Sequence, residues 1–397
     1  MRRRTYLAVA AGAAGLAGCA GGAPDGAGTD GPATDGESGG ERFAVETVVD
    51  GLEHPWGIAV LGDGRLLVTE RPGRLRLVDP AAGDARTVAG TPEVYAAGQG
   101  GLLDVAVRGG SEPESEPEVY LTYAATDDAG RSATHLGRGR LDAAAGRLTG
   151  FERLHVAEPF VDSDAHYGSR VVVGPDDRLY VTAGDRQFKD FGPGHVARDR
   201  SNELGTVLRL APDGSAPEDN PFVDEPGVRD GIFTYGHRNP QGLAVHPETG
   251  ALWEHEHGEE DGDEVNVLEA GGDYGWPVAS EACNYGTDDP VGVSHADREG
   301  VTAPVHVWPC GGGGFPPSGA TIYDGDAFPS WRGDLLAGNL AGQYLGRLSV
   351  DGRTVDERAP LLADRGWRVR SVADDPAGWL YVAVDAESAP LVRLSPA

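Results

Sequence analysis

Gly174-Pro-Asp-Asp-Arg-Leu-Tyr-Val-Thr182 decides how the rest of this chain is read. Gly, Pro and the paired Asp residues supply a tight turn. The Leu-Tyr-Val-Thr run that follows has the length and the β-branched, aromatic content of a strand. Arg170-Val-Val-Val173 stands just upstream, so the stretch reads as a hairpin. The same unit recurs at Gly62–Thr69, Glu116–Thr122, His246–Trp253, Ser330–Ala337 and Asp375–Val382. Most copies follow another short apolar run, such as Gly57-Ile-Ala-Val60 or Gly242-Leu-Ala-Val245. Six similar period-2 units with no long helical stripe point to a radial all-β array rather than a two-sheet sandwich. The expected fold is a six-bladed β-propeller over residues 42–397, with 187–230 and 273–318 as loop insertions on one face.

The N-terminal residues stand apart from that pattern. Arg2, Arg3 and Arg4 precede Thr5-Tyr6-Leu7 and an apolar stretch from Ala8 to Ala17 that is too short to span a bilayer. The arrangement resembles a twin-arginine export signal. Leu16-Ala17-Gly18-Cys19 resembles a lipobox, in which Cys19 becomes lipidated and forms the new N-terminus. Residues 1–19 are therefore expected to be a signal peptide, with the protein exported and held by lipid at the outer face of the cytoplasmic membrane. Residues 20–41, rich in Gly, Ala, Asp and Thr, read as a flexible tether.

Sixty-three acids against 33 bases leave a net charge of -30, and Lys189 is the sole lysine. Self-repulsion on that scale is relieved by concentrated salt, so the composition suits a halophilic, extracytoplasmic protein. Nucleic acid is excluded as a partner because no basic patch exists to neutralise phosphates. With Cys19 assigned to lipid, Cys283 and Cys310 remain. At 27 positions apart in an exported protein they can close a disulfide loop; two buried thiols are the alternative.

Three motifs carry the chemistry: Tyr235-Gly-His-Arg-Asn-Pro-Gln-Gly242, Glu256-His-Gly-Glu-Glu-Asp-Gly-Asp-Glu264 and Gly271-Gly-Asp-Tyr-Gly-Trp-Pro277. Arg238 and Asn239 sit in a Gly/Pro-bounded loop, where side chains face a ligand rather than a core. The acidic loop after them is rich in oxygen donors suited to a hard cation such as calcium. His166, just before a strand, is the candidate general base, since imidazole titrates near neutral pH. Asp185 lies past the far end of the Arg170–Thr182 hairpin, which returns it to the rim that carries His166.

Together these segments resemble the glucose/sorbosone dehydrogenase family, soluble sugar dehydrogenases that carry pyrroloquinoline quinone (PQQ) on a six-bladed propeller. The resemblance implies that His166 is the base and Asp185 its carboxylate partner. Gln99 matches the family's active-site glutamine, which contacts quinone and sugar. Arg238 and Asn239 match the pair that holds the reactive quinone oxygen, and Arg368 and Arg370 match two arginines that bind PQQ carboxylates. Catalytic calcium in the family rests on main-chain carbonyls of a Gly-Pro step, here Gly258-Glu259, so the proline is missing; Asp263 and Glu264 are close enough in sequence to support the ion. A family lysine that meets a PQQ carboxylate is replaced here by Ala341, with Gln343 as a neutral candidate nearby. His237 is assigned no role beyond orienting its loop.

The expected function is oxidation of an aldose at its anomeric carbon to a lactone, with PQQ and Ca2+ as cofactors and an unidentified electron acceptor. The other classes left open are a non-catalytic sugar- or partner-binding propeller and a calcium-dependent lactonase. Absence of a Ser or Cys nucleophile motif beside His166 weighs against hydrolysis.

Overall fold

The computed structural model describes residues 36–38, 41–109 and 116–397. The expected signal peptide, Cys19 and most of the tether lie outside the described residues.

Six antiparallel sheets account for the fold, five with four strands and one with five. Each sheet is a blade whose first strand is innermost: Pro55–Val60, Leu102–Arg108, Val171–Val173, Pro240–Val245, Pro317–Ile322 and Val369–Asp374 for blades 1 to 6. Each inner strand packs on its neighbours in turn, and that of blade 6 packs on that of blade 1, so the ring closes. The closure is sealed within blade 6. Glu41–Leu52 pairs with the C-terminal strand Ala389–Pro396, joining the two ends of the propeller in one sheet.

The six turn-plus-strand units seen in the sequence are the second strands of the six blades, including Leu66–Glu70, Leu179–Ala183, Leu335–Asn339 and Leu380–Val384. Their near-continuous burial follows from the architecture. Every blade is covered on both faces, so both alternating sets of side chains meet a neighbour. Leu66 and Val68 pack into the core between blades 6 and 1, whereas Leu67 packs between blades 1 and 2. A separate apolar cluster fills each of the six blade interfaces.

Three sequence expectations change in detail. The stretch 187–230, read as an insertion, contains the third strand of blade 3, Thr206–Leu210, and 273–318 contains the outer strand of blade 4, His306–Trp308. Both are too short to announce themselves between long loops. In the stretch read as a tether, Gly36–Ser38 forms a short strand on Glu41–Phe43. The Ser38 carbonyl accepts a hydrogen bond from Trp331 Nε1 (3.2 Å), and its hydroxyl accepts one from Arg347 (3.2 Å).

Arg170 fills the central channel. Its guanidinium lies 3.8 Å from the centre of the Trp56 ring and donates to Asp104 Oδ1 (3.2 Å), the Gln241 carbonyl (2.6 Å) and the Arg370 carbonyl (3.3 Å). One buried cation from blade 3 thereby ties together inner strands of blades 1, 2, 4 and 6. Each of its three guanidinium nitrogens donates one bond, in a planar fork that Lys could not reproduce.

Candidate active site

Two kinds of connection meet on one face of the ring: loops between second and third strands, and links from one blade to the next inner strand. They enclose a cavity of about 610 Å3 above the Arg170 plug. Gln99, His166, Arg238, Asn239, Gly258, Glu259, Arg368, Arg370 and Ala341 all line it. Asp185 stands directly behind His166; Gln343 is not in the lining.

His166 sits in the link between blades 2 and 3 with φ of 47°, a left-handed conformation that a non-glycine residue adopts only when its surroundings enforce it. The enforcing contacts are local. Gln99 Oε1 accepts from the His166 N–H (2.8 Å), and the His166 carbonyl rests against Gly184, where a Cβ would collide with it. The ring Nδ1 is 2.7 Å from Asp185 Oδ1. Asp185 is held in turn by the Trp276 indole, whose Nε1 donates to Oδ2 (2.9 Å), and by the Gln187 N–H (2.8 Å).

Protonation states follow from this wiring. Burial alone would raise the Asp185 pKa, but the hydrogen bond and charge of His166 and the charge of Arg238 outweigh it and leave the pKa below the ordinary value. Burial, followed by the Arg238 charge, pulls His166 below the ordinary histidine pKa, with Asp185 opposing. A neutral imidazole with its proton on Nδ1, toward Asp185, leaves the Nε2 lone pair free to accept a proton on the cavity side.

Arg238 and Asn239 are set by a carboxylate beneath them. Glu256 Oε2 accepts from both backbone N–H groups, and Glu256 Oε1 is 2.9 Å from His237 Nδ1. His237 Nε2 meets the Thr234 hydroxyl (2.9 Å), so this buried histidine shapes the loop, as expected for it. Its grouping with Glu254 and Glu256 brings one candidate metal-ligand atom from each within 4.8 Å of the others, yet both imidazole nitrogens are already engaged. Asn239 Oδ1 accepts from the Gly168 N–H (3.2 Å). The Arg238 guanidinium donates to Glu259 Oε2 (2.6 Å), which also receives Lys189 (2.6 Å).

The side chain that replaces the family proline therefore forms an ion-pair bridge across the cavity wall. The Gly258 and Glu259 carbonyls accept no hydrogen bond from the described residues, and the Gly258 N–H donates to Asp263 Oδ1 (3.0 Å). Burial pushes the Asp263 pKa up to about 6. Glu264 lies outside this cavity; burial and the nearby Glu256 raise its pKa well above the usual range.

Opposite this wall, Arg370 donates to Gln241 Oε1 (3.2 Å) and pairs with Asp385 (3.0 Å). Arg368 is half-exposed, donates to the Leu340 carbonyl (3.3 Å) and lies 3.6 Å from the same Asp385. A register shift separates Val369 from Ser371 in the inner strand, yet both guanidiniums reach the cavity. Cys283 and Cys310 are bonded, with Cα atoms 5.4 Å apart, and clamp the loop that brings Tyr285 to the cavity edge.

Sequence reasoning missed Arg71, Gln241, Asp385, the Trp276 indole and the Glu256 clamp. A signal for two of them was present: Arg71 and Asp385 directly follow second strands, much as Asp185 comes two residues after one. Trp276 belongs to a quoted motif but meets Asp185 across 91 residues of sequence, which no local pattern encodes.

The family model for glucose/sorbosone dehydrogenase matches residues 52–393. The aldose sugar dehydrogenase YliI of Escherichia coli K12 is 35% identical over 353 residues, covering 89% of this chain and 92% of that protein. The crystal structure of the soluble aldose sugar dehydrogenase of Escherichia coli in its apo form aligns with a TM-score of 0.81 at 36% identity, covering 89% of this chain and all of that one. The PQQ-bound aldose sugar dehydrogenase of Streptomyces coelicolor aligns at 0.70 and 27% identity, covering 89% and 98%. Motifs, six-bladed fold and comparisons agree: this chain belongs to the glucose/sorbosone dehydrogenase family.

Proposed function

We propose that the protein is an aldose dehydrogenase that oxidises the anomeric carbon to a lactone with PQQ. The observation that carries this reading is the convergence of His166, backed by buried Asp185, with a cluster of guanidiniums around one cavity.

The donor set fits a planar polycarboxylate quinone. Arg368 and Arg370 suit carboxylates, and Gln99, Arg238 and Asn239 line the same cavity and would donate to a quinone oxygen on which charge builds. Bound PQQ supplies the two-electron acceptor that takes the anomeric hydrogen as hydride. His166 Nε2 takes the proton of the anomeric hydroxyl, Asp185 steadies the imidazolium that results, and Trp276 keeps the carboxylate aligned. Calcium fits the same cavity through the Gly258 and Glu259 carbonyls, which have no competing donor among the described residues. Tyr285 lines the cavity with the Lys189 ammonium 5.5 Å from its ring centre, and the sugar would enter beside them.

Export and lipid anchoring through Cys19 complete the proposal, placing the reaction outside the cytoplasm; Cys19→Ser should move the protein out of the membrane fraction. The catalytic reading is tested by reconstituting apoprotein with PQQ and calcium in molar salt and following dye reduction with several aldoses. Lactone formed in step with dye supports it. Saturable PQQ binding with no turnover of any aldose refutes it in favour of a binding propeller.

A further inference from the structure

Arg71 follows the second strand of blade 1, and its backbone is pinned: its N–H donates to the His54 carbonyl (3.1 Å) and its carbonyl accepts from the Leu102 N–H (3.0 Å). That carbonyl sits over Gly101, where any Cβ would collide with it, and the residue lines the cavity. Other cations there are balanced: Arg238 and Lys189 share Glu259, while Arg370 pairs with Asp385. The Arg71 guanidinium has no hydrogen bond or ion pair with any described residue. Three arginines, Arg71, Arg368 and Arg370, thus line the cavity with Asp385. That carboxylate pairs with Arg370 (3.0 Å), lies 3.6 Å from Arg368 and is also engaged by His54 (2.9 Å), leaving Arg71 without a carboxylate of its own. In a chain with a net charge of -30, a cationic corner left open toward a cavity implies an anion that completes it.

We propose that Arg71 is the third guanidinium of a carboxylate-binding site shared with Arg368 and Arg370, and that this site anchors the cofactor; the inference rests on the PQQ reading above. Arg71 reaches in from blade 1 and Ala341 from blade 5, on either side of the blade 6 arginines. A guanidinium on one flank thus supplies the positive charge that the other flank lacks. Burial lowers the Arg370 pKa, Asp385 opposes this, and the charges of Arg368 and Arg71 lower it further, which supports the proximity of the three.

The test is calorimetric titration of PQQ into calcium-loaded apoprotein at fixed molar salt, comparing wild type with Arg71→Ala and Arg71→Lys, with thermal melts as a folding control. One charge-assisted pair corresponds to roughly 10- to 100-fold in affinity. Arg71→Ala should weaken PQQ binding by about that factor with an unchanged melt, and Arg71→Lys should keep most of the affinity. Arg71→Ala within about twofold of wild type overturns the role of Arg71 while leaving the PQQ reading intact. No PQQ binding by wild type overturns the functional reading itself, and the inference with it.

Discussion

His255 offers a quantitative check on the packing beneath the site. It lies in the second strand of blade 4, next to the Glu256 clamp, and is 2% exposed. Neither ring nitrogen has a hydrogen-bond partner, and the ring occupies space that a Cβ on Gly242 would need. Burial, with the Arg170 charge adding to it, brings its pKa from the ordinary 6.5 down to about 3. The unfolded chain therefore takes up a proton near pH 6.5 while the folded protein refuses it until about pH 3. Stability from this residue is complete above pH 6.5 and falls as the pH drops through that window. Between pH 7 and pH 5 the linkage amounts to about 2 kcal/mol, at ~1.4 kcal/mol for each pH unit below 6.5. Urea denaturation of wild type and His255→Leu at both pH values, in constant molar salt, isolates this contribution because other titrating groups cancel. Wild type should lose about 2 kcal/mol more than the variant on acidification. Equal losses would mean that the folded protein protonates or hydrates His255, and the packing argument would fail.

Other predictions concern the dyad, the clamp and the charge. Asp185→Asn removes the carboxylate that raises the His166 pKa, so the acid limb of kcat/KM should move to lower pH while the plateau falls at least about tenfold; an unmoved limb would detach His166 from the rate. In wild type that limb should already lie below the ordinary histidine range of about 6.5. Cys283→Ser with Cys310→Ser opens a loop across a 27-residue separation and should cost about 3–4 kcal/mol by urea denaturation, an estimate that unchanged stability would contradict. Screening of the net charge of -30 should raise the thermal midpoint between about 0.1 M and 3 M salt, as the Debye length falls from ~10 Å to below ~3 Å. A flat midpoint argues against adaptation to salt.

The blades were most legible where the connection between first and second strands is short, as in blades 1, 3, 4 and 6, and writes its turn into Gly, Asp and Pro next to an apolar run. Thr206–Leu210 and His306–Trp308 were lost inside long connections, where no short turn marks a boundary. Gly36–Ser38 was unreadable for another reason: its anchors, Trp331 and Arg347, lie about three hundred residues away. Hairpin geometry returned Asp185 to the rim that carries His166, since antiparallel strands reverse the chain, while the pairing of the two as base and carboxylate came from the family resemblance. The Glu259 bridge to Arg238 and Lys189 did not. An acidic run reads as solvated surface until the fold buries one of its carboxylates against two cations.

The most direct test of the central claim compares wild type with His166→Ala after reconstitution with PQQ and calcium in molar salt, measuring aldose-dependent dye reduction and PQQ affinity on the same samples. The account predicts that PQQ affinity changes little while turnover falls roughly 10²- to 10⁴-fold, the loss expected when a general base acting in the transition state is removed. Near-wild-type turnover by His166→Ala would contradict it.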